Sequence, residues 1–150
     1  MTSPPTYDDL VVDKHPLPVA GVLALASLPI HLLLPLNVSQ ALAAGVMCMI
    51  AGIYVGFAAL DGRRSRLLIE GAVALSFTVA SIAALLANPL LIALVYIAHG
   101  FWDAAHHKHG LQLSMPAWYV RFCAAYDVLA GIGLWLIWTY LSSGISRGLF

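Results

Sequence analysis

Charge is what this chain has least of. Seven lysines and arginines and seven aspartates and glutamates make up 9% of the 150 residues. A soluble domain carries about 25% charged residues, because its wet surface needs them. Hydrophobic residues reach 61%, and the mean hydropathy is +0.90. That balance excludes a soluble globular enzyme and a disordered chain alike. A formal net charge of zero gives no basic face, which excludes nucleic acid as a partner. Cysteine is scarce too. Cys48 and Cys123 lie in apolar stretches without the spacing of a zinc ribbon or redox pair, and they read as buried packing.

What remains is long apolar runs, so the chain reads as an all-α polytopic membrane protein. Residues 1–16 form a polar tail carrying Asp8, Asp9, Asp13 and Lys14. Residues 17–141 hold the membrane domain, and 142–150 a short C-terminal tail. Five apolar segments are expected: Leu17–Leu36, Val38–Leu60, Leu67–Ala87, Pro89–His107 and Ala117–Leu141. Each approaches the roughly 20 residues needed to cross a bilayer. Pro35-Leu36-Asn37 and Asn88-Pro89 are expected turns, since proline constrains the residue before it. Ala41-Leu42-Ala43 resembles a signal-peptidase site. The preceding run exceeds the roughly 7–15 residues of an ordinary signal sequence, and its leader is acidic, so an uncleaved first helix is expected.

Basic residues set the orientation. With five crossings, Lys14, Arg63, Arg64, Arg66, Lys108 and Arg121 gather at one side and Arg147 lies opposite. This predicts a cytoplasmic N-terminus in the inner (cytoplasmic) membrane of the cell. Trp118 and Tyr119 are expected in one interfacial belt, Trp138 and Tyr140 in the other. Gly52 and Gly56, at helical spacing, are expected to let helices approach closely.

Ionisable groups within a bilayer carry the most functional information. The fourth segment ends in His-Gly-Phe-Trp-Asp-Ala-Ala-His-His, residues 99–107. On a helix, His99, Asp103 and His106 or His107 share one face, the spacing that helical metal sites require. At about 1.5 Å per residue, His99 lies roughly 12 Å inside the cytoplasmic end of its helix. Asp127, ten residues into the fifth segment, falls at a similar depth. Asp103, Glu70 and Arg121 form a shallower layer. His99, Asp103, His106 and Asp127 are therefore expected to meet between the fourth and fifth helices in a cavity open to the cytoplasm, with Glu70 on a third side. Plainer roles stand beside these: Glu70 pairing with Arg66, Arg121 snorkelling to headgroups, His107 and His109 solvated, His31 bonding locally.

The residues His99, Trp102, Asp103, His106 and His107, then Pro116, Trp118 and Tyr119, then Cys123, Tyr126 and Asp127, carry a resemblance. They resemble a group of small bacterial integral-membrane proteins with a His-x-x-Trp-Asp-x-x-His-His box, a Pro-x-Trp-Tyr turn and a Cys-x-x-Tyr-Asp helix. The resemblance covers the final third of the chain. It implies that these residues belong together, and it implies no activity.

Three functions follow as expectations. The first is a membrane-embedded enzyme acting on a lipid-like or isoprenoid-like substrate. His99, Asp103 and His106, with His107 as a further ligand, would hold a divalent metal, zinc or iron. Asp127 would act as base, and Glu70 and Arg121 would support the site. A metal-free His–Asp pair is its variant. The second is a proton- or cation-coupled transporter or channel using the same groups as a relay. The third is a non-catalytic subunit of a larger membrane complex or oligomer. Haem fits less well, because its only deep histidines, His31 and His99, differ in height by roughly 7 Å at 1.5 Å per residue.

Overall fold

A computed structural model describes residues 11–108 and 115–143, and all of their regular structure is helical. After a short helix α1 (Val11–Lys14) come α2 (Pro16–Leu33), α3 (Leu36–Asp61), α4 (Arg64–Ala87), α5 (Leu91–Lys108) and α6 (Ala117–Ser142). Four of these, α2, α3, α4 and α6, are long and apolar enough to cross a membrane. Helix α5 is a shorter apolar helix over its described residues Leu91–Ala105.

The breaks have local causes. Pro35 forces Leu34 into extended backbone (φ −92°, ψ 149°), ending α2. Asn88, before Pro89, is likewise extended (φ −152°, ψ 100°) and ends α4. Gly62 closes α3 in the left-handed region (φ 76°), where a side chain would be strained. At that corner Arg63 donates two hydrogen bonds to the Asp61 carboxylate. Pro16 begins α2, where its missing N–H is not needed.

Side-chain contacts fix the directions. Leu17 and Arg121 line one groove, whereas His31 stacks edge-on against Trp138, so α2 and α6 run parallel. Trp138 also bonds Ser39, and Phe57 packs on Tyr119, so α3 runs the opposite way. The break at Leu34–Pro35 is thus a true reversal. Helix α5 returns antiparallel to both α4 and α6. The principal packings run α2 on α6, α6 on α5, α5 on α4 and α4 on α3, and α3 touches α2 and α5 to close the bundle. Lys14, Arg63, Arg64, Arg66 and Arg121 all lie at the end where α6 begins.

The core lies between α3, α5 and α6 and contains Met47, Ile92, Tyr96, Leu134 and Trp138. Trp138 is fully buried and donates to Ser39 Oγ at 2.8 Å, which corrects its expected place in an interfacial belt. The expected close approach at Gly52 and Gly56 is also overturned, since nothing lies within 4 Å of a methyl placed on either. Tight packing occurs at Gly100 and Gly131 instead. A Cβ on Gly100 would stand 2.8 Å from the Ala124 carbonyl oxygen, and one on Gly131 2.7 Å from that of Ala93. Helices α5 and α6 touch backbone to backbone, which brings their polar residues within bonding range.

Candidate functional site

Along the α5–α6 seam, His99, Asp103 and Asp127 converge. Their relative exposures are 1%, 0% and 1%. Nδ1 of His99 lies 2.7 Å from Oδ2 of Asp127 and 3.6 Å from Oδ2 of Asp103. One potential ligand atom from each residue falls within 4.8 Å of the others. Asp103 sits one helical turn after His99, so both project from the same face of α5. Asp127 reaches the same point because Gly100 lets α6 close on α5 beside it. Asp127 Oδ1 is buried and has no hydrogen-bond partner among the described residues.

The surrounding helices complete the enclosure. Glu70 of α4 is fully buried and acts electrostatically on Asp103, while Arg66, one turn earlier, acts on Glu70. The Tyr54 hydroxyl of α3 is directed at Asp103. Phe77 meets the His99 ring edge-on at a centroid distance of 4.7 Å, and Tyr54 does so at 6.1 Å. Tyr119 packs against Tyr54 and interacts with the thiol of Cys123, a buried free cysteine. Four helices thus place titratable or hydroxyl groups in one layer. An aromatic wall of this kind excludes water and strengthens each polar contact inside it.

The sequence-predicted residues divide into three sets. His99, Asp103 and Asp127 are brought together, and Glu70 lies on the facing helix as expected. Arg121 is exposed and lines an outward groove with Leu17 and Phe101, so it is not part of the cluster. His106 and His107 continue α5 two turns beyond His99, but their side chains, and all of His109, lie outside the described residues. Tyr54 and Phe77 were not singled out from the sequence, because only the bundle brings their helices to His99. One signal existed for Tyr54: a hydroxyl in the apolar α3 run needs a partner.

The cavity differs from expectation. The cluster itself is closed between α5 and α6. The adjoining space, about 220 Å³, lies between α3 and α6. Val46, Ile50, Ile53 and Phe122 make its apolar walls, and Asp127, Cys123 and Tyr119 bring the polar groups. His31 and His99 do not face each other. Their neighbours on α6, Trp138 and Asp127, are eleven residues apart, or about 16 Å. One haem cannot take both as axial ligands.

No known family matches the chain. Nor does any curated protein or solved structure show significant similarity to it. Functional argument therefore rests on the chemistry of the cluster.

One imidazole and two carboxylates suit a divalent cation. Ionised together, two carboxylates beside a single imidazole would concentrate negative charge where little water can screen it, and a dication would balance it. The mixed nitrogen and oxygen donor set is one that zinc and iron accept.

Proposed function

We propose that this protein is a membrane-embedded enzyme whose His99, Asp103 and Asp127 hold a divalent metal, zinc or iron, and which acts on a lipid-like or isoprenoid-like substrate. All five long helices cross the membrane in this reading. The end bearing Lys14, Arg63, Arg64 and Arg66 faces the cytoplasm by the positive-inside rule, in a bacterial inner membrane. Helix α5 crosses with its polar His99 and Asp103 sheltered by α3, α4 and α6.

The single observation that carries the reading is the convergence of three fully buried potential ligands from two helices beside an apolar pocket. A structural clamp between helices needs one hydrogen bond. Here a second carboxylate is held near the same imidazole nitrogen, and an oxygen of the first is left without a partner. A bound dication would supply Lewis acidity and take up that unused oxygen. Asp127 borders the α3–α6 pocket and is placed to orient a substrate group or accept its proton. Tyr54 holds Asp103 from the other side. The apolar walls at Val46, Ile50, Ile53 and Phe122 fit a hydrocarbon chain. The motif resemblance supports the grouping of His99, Asp103 and Asp127 and adds His106 and His107 as candidate ligands.

Metal analysis tests this. Protein expressed with supplementary zinc or iron and purified in mild detergent should retain about one equivalent of metal. Both His99→Gln and Asp127→Asn should lose it. Wild-type protein without stoichiometric metal after either supplementation would leave only the metal-free His–Asp centre.

A further inference from the structure

A space larger than the α3–α6 pocket follows the α5–α6 seam on another side of α6. It is a groove of about 630 Å³, with α2 at its edge. Gly100 and Ala104 of α5 and Ala124 and Ala125 of α6 line it, and side chains this small leave the seam unfilled. Leu17 and Phe101 stand beside them, 58% and 66% exposed, so the groove has hydrocarbon walls that face outward. It shares no residue with the α3–α6 pocket or with the His99 cluster.

One charged residue lines this groove, Arg121. It belongs to the first turns of α6, at the end of the bundle where Lys14, Arg63, Arg64 and Arg66 also lie. From Arg121 to Leu129 the groove follows α6 for about 12 Å at 1.5 Å per residue, from the membrane boundary into the hydrocarbon layer. Arg121 is exposed, and it makes no hydrogen bond or ion pair among the described residues. A second copy of the chain has little to bring to it. Of the described acids, Glu70, Asp103 and Asp127 are buried and Asp61 is bonded to Arg63, which leaves only Asp13.

We propose that this groove binds one anionic phospholipid, with its phosphate on Arg121 and one acyl chain lying along the α5–α6 seam toward Leu129. A guanidinium presents a planar fork that matches two phosphate oxygens. Cation and apolar length are continuous in one groove, so the occupant must join an anion to hydrocarbon. A zwitterionic lipid would add an ammonium that finds no acid in the groove, and a net negative headgroup is therefore preferred. The headgroup lies in the leaflet that the basic residues mark. One bound lipid and a choice of headgroup distinguish this site from an arginine that merely snorkels. The site stands independently of the metal reading.

Native mass spectrometry of the delipidated protein in detergent counts bound lipid directly. Dioleoyl phosphatidylglycerol and dioleoyl phosphatidylcholine, which have the same chains, are titrated separately. One phosphatidylglycerol should bind, about fivefold more tightly than phosphatidylcholine, the worth of one basic residue at a membrane surface. Arg121→Gln should abolish that preference. Arg121→Lys, which keeps the charge and loses the fork, should retain part of it. Ala104→Trp fills the groove from an exposed position and should weaken the binding of both lipids. Arg64→Gln removes an exposed cation from the same end of the bundle and should leave the preference unchanged. Metal content, read on the same samples, should not change with Arg121, so the two proposals fail separately. The lipid site is overturned if the two lipids bind alike, or if Arg64→Gln loses the preference as fully as Arg121→Gln. It is overturned equally if Ala104→Trp binds both lipids as wild type does, or if the protein forms a lipid-free dimer that Ala104→Trp disrupts.

Discussion

Nδ1 of His99 stands 2.7 Å from Oδ2 of Asp127, and the same nitrogen is 3.6 Å from Oδ2 of Asp103. Two carboxylates thus compete for one imidazole inside a wall of Phe77, Tyr54 and Tyr119. Core packing alone gives no reason to hold a second buried acid there. A hydrophobic residue at position 103 would fill the space without the desolvation that a carboxylate suffers.

Asp127 separates the charge of this site from its hydrogen bond. Asp127→Ala takes away the nearer acceptor of His99 and leaves a void at a buried position, and should destabilise the protein by about 2–3 kcal/mol. Asp127→Asn keeps an acceptor oxygen for His99 and removes repulsion with Asp103, so it should cost at most about 1 kcal/mol. Both should lose the metal. Thermal unfolding in detergent followed by circular dichroism ranks the two. Equal destabilisation by both would show that the carboxylate's charge, and not the bond, holds the helices together.

Arg121 serves as the control. It is exposed at the outer groove and away from the cluster. Arg121→Gln should leave metal content unchanged and shift stability by no more than about 0.5 kcal/mol, as surface substitutions do. Loss of metal in this variant would place the guanidinium within the working site after all.

How much of this was legible in the sequence depends on what each feature requires. Helix bounds were, because apolar runs and prolines act locally: the expected segments agree with α2 through α6 to within a few residues at most ends. The meeting of His99, Asp103 and Asp127 was also legible, since spacing and depth along antiparallel neighbours are one-dimensional quantities. Partners across the bundle were not. Nothing local links Tyr54 or Phe77 to His99, or Ser39 to both His31 and Trp138. Trp138 looked interfacial because indole near a helix end usually is, and only a serine ninety-nine positions away in sequence gives its N–H a buried partner. Gly52 and Gly56 had the right spacing on a helix face that turns outward.

Trp138 joins His31 and Ser39 to the core. Replacing it with phenylalanine removes the donor to Ser39 and opens space at a fully buried position. A loss of about 1–3 kcal/mol is expected from the unsatisfied hydroxyl and the void. Trp135→Phe, at a position 38% exposed, should be near neutral. Parallel melting curves check the difference, and similar curves would count against the buried bond.

Gly100 controls the distance on which the whole site depends. It directly follows His99, and a methyl group added to it would meet the Ala124 carbonyl oxygen at 2.8 Å, Val128 Cγ2 at 2.8 Å and the Val128 nitrogen at 3.2 Å. Two of those atoms are backbone, so they can yield only if α6 moves away from α5. Overpacking of this kind costs about 1–3 kcal/mol. Its chemical effect should be the larger one, because a hydrogen bond of 2.7 Å between His99 and Asp127 cannot survive a separation of even 1 Å. Gly100→Ala should therefore lower metal affinity while leaving every proposed ligand in place. Gly52→Ala and Gly56→Ala, with open space around them, should bind metal normally and gain slightly in helix stability. Competition with a graded series of chelators measures the affinities on one scale. A Gly100→Ala protein that holds its metal as tightly as wild type would show that the contact between α5 and α6 does not set the geometry of the site.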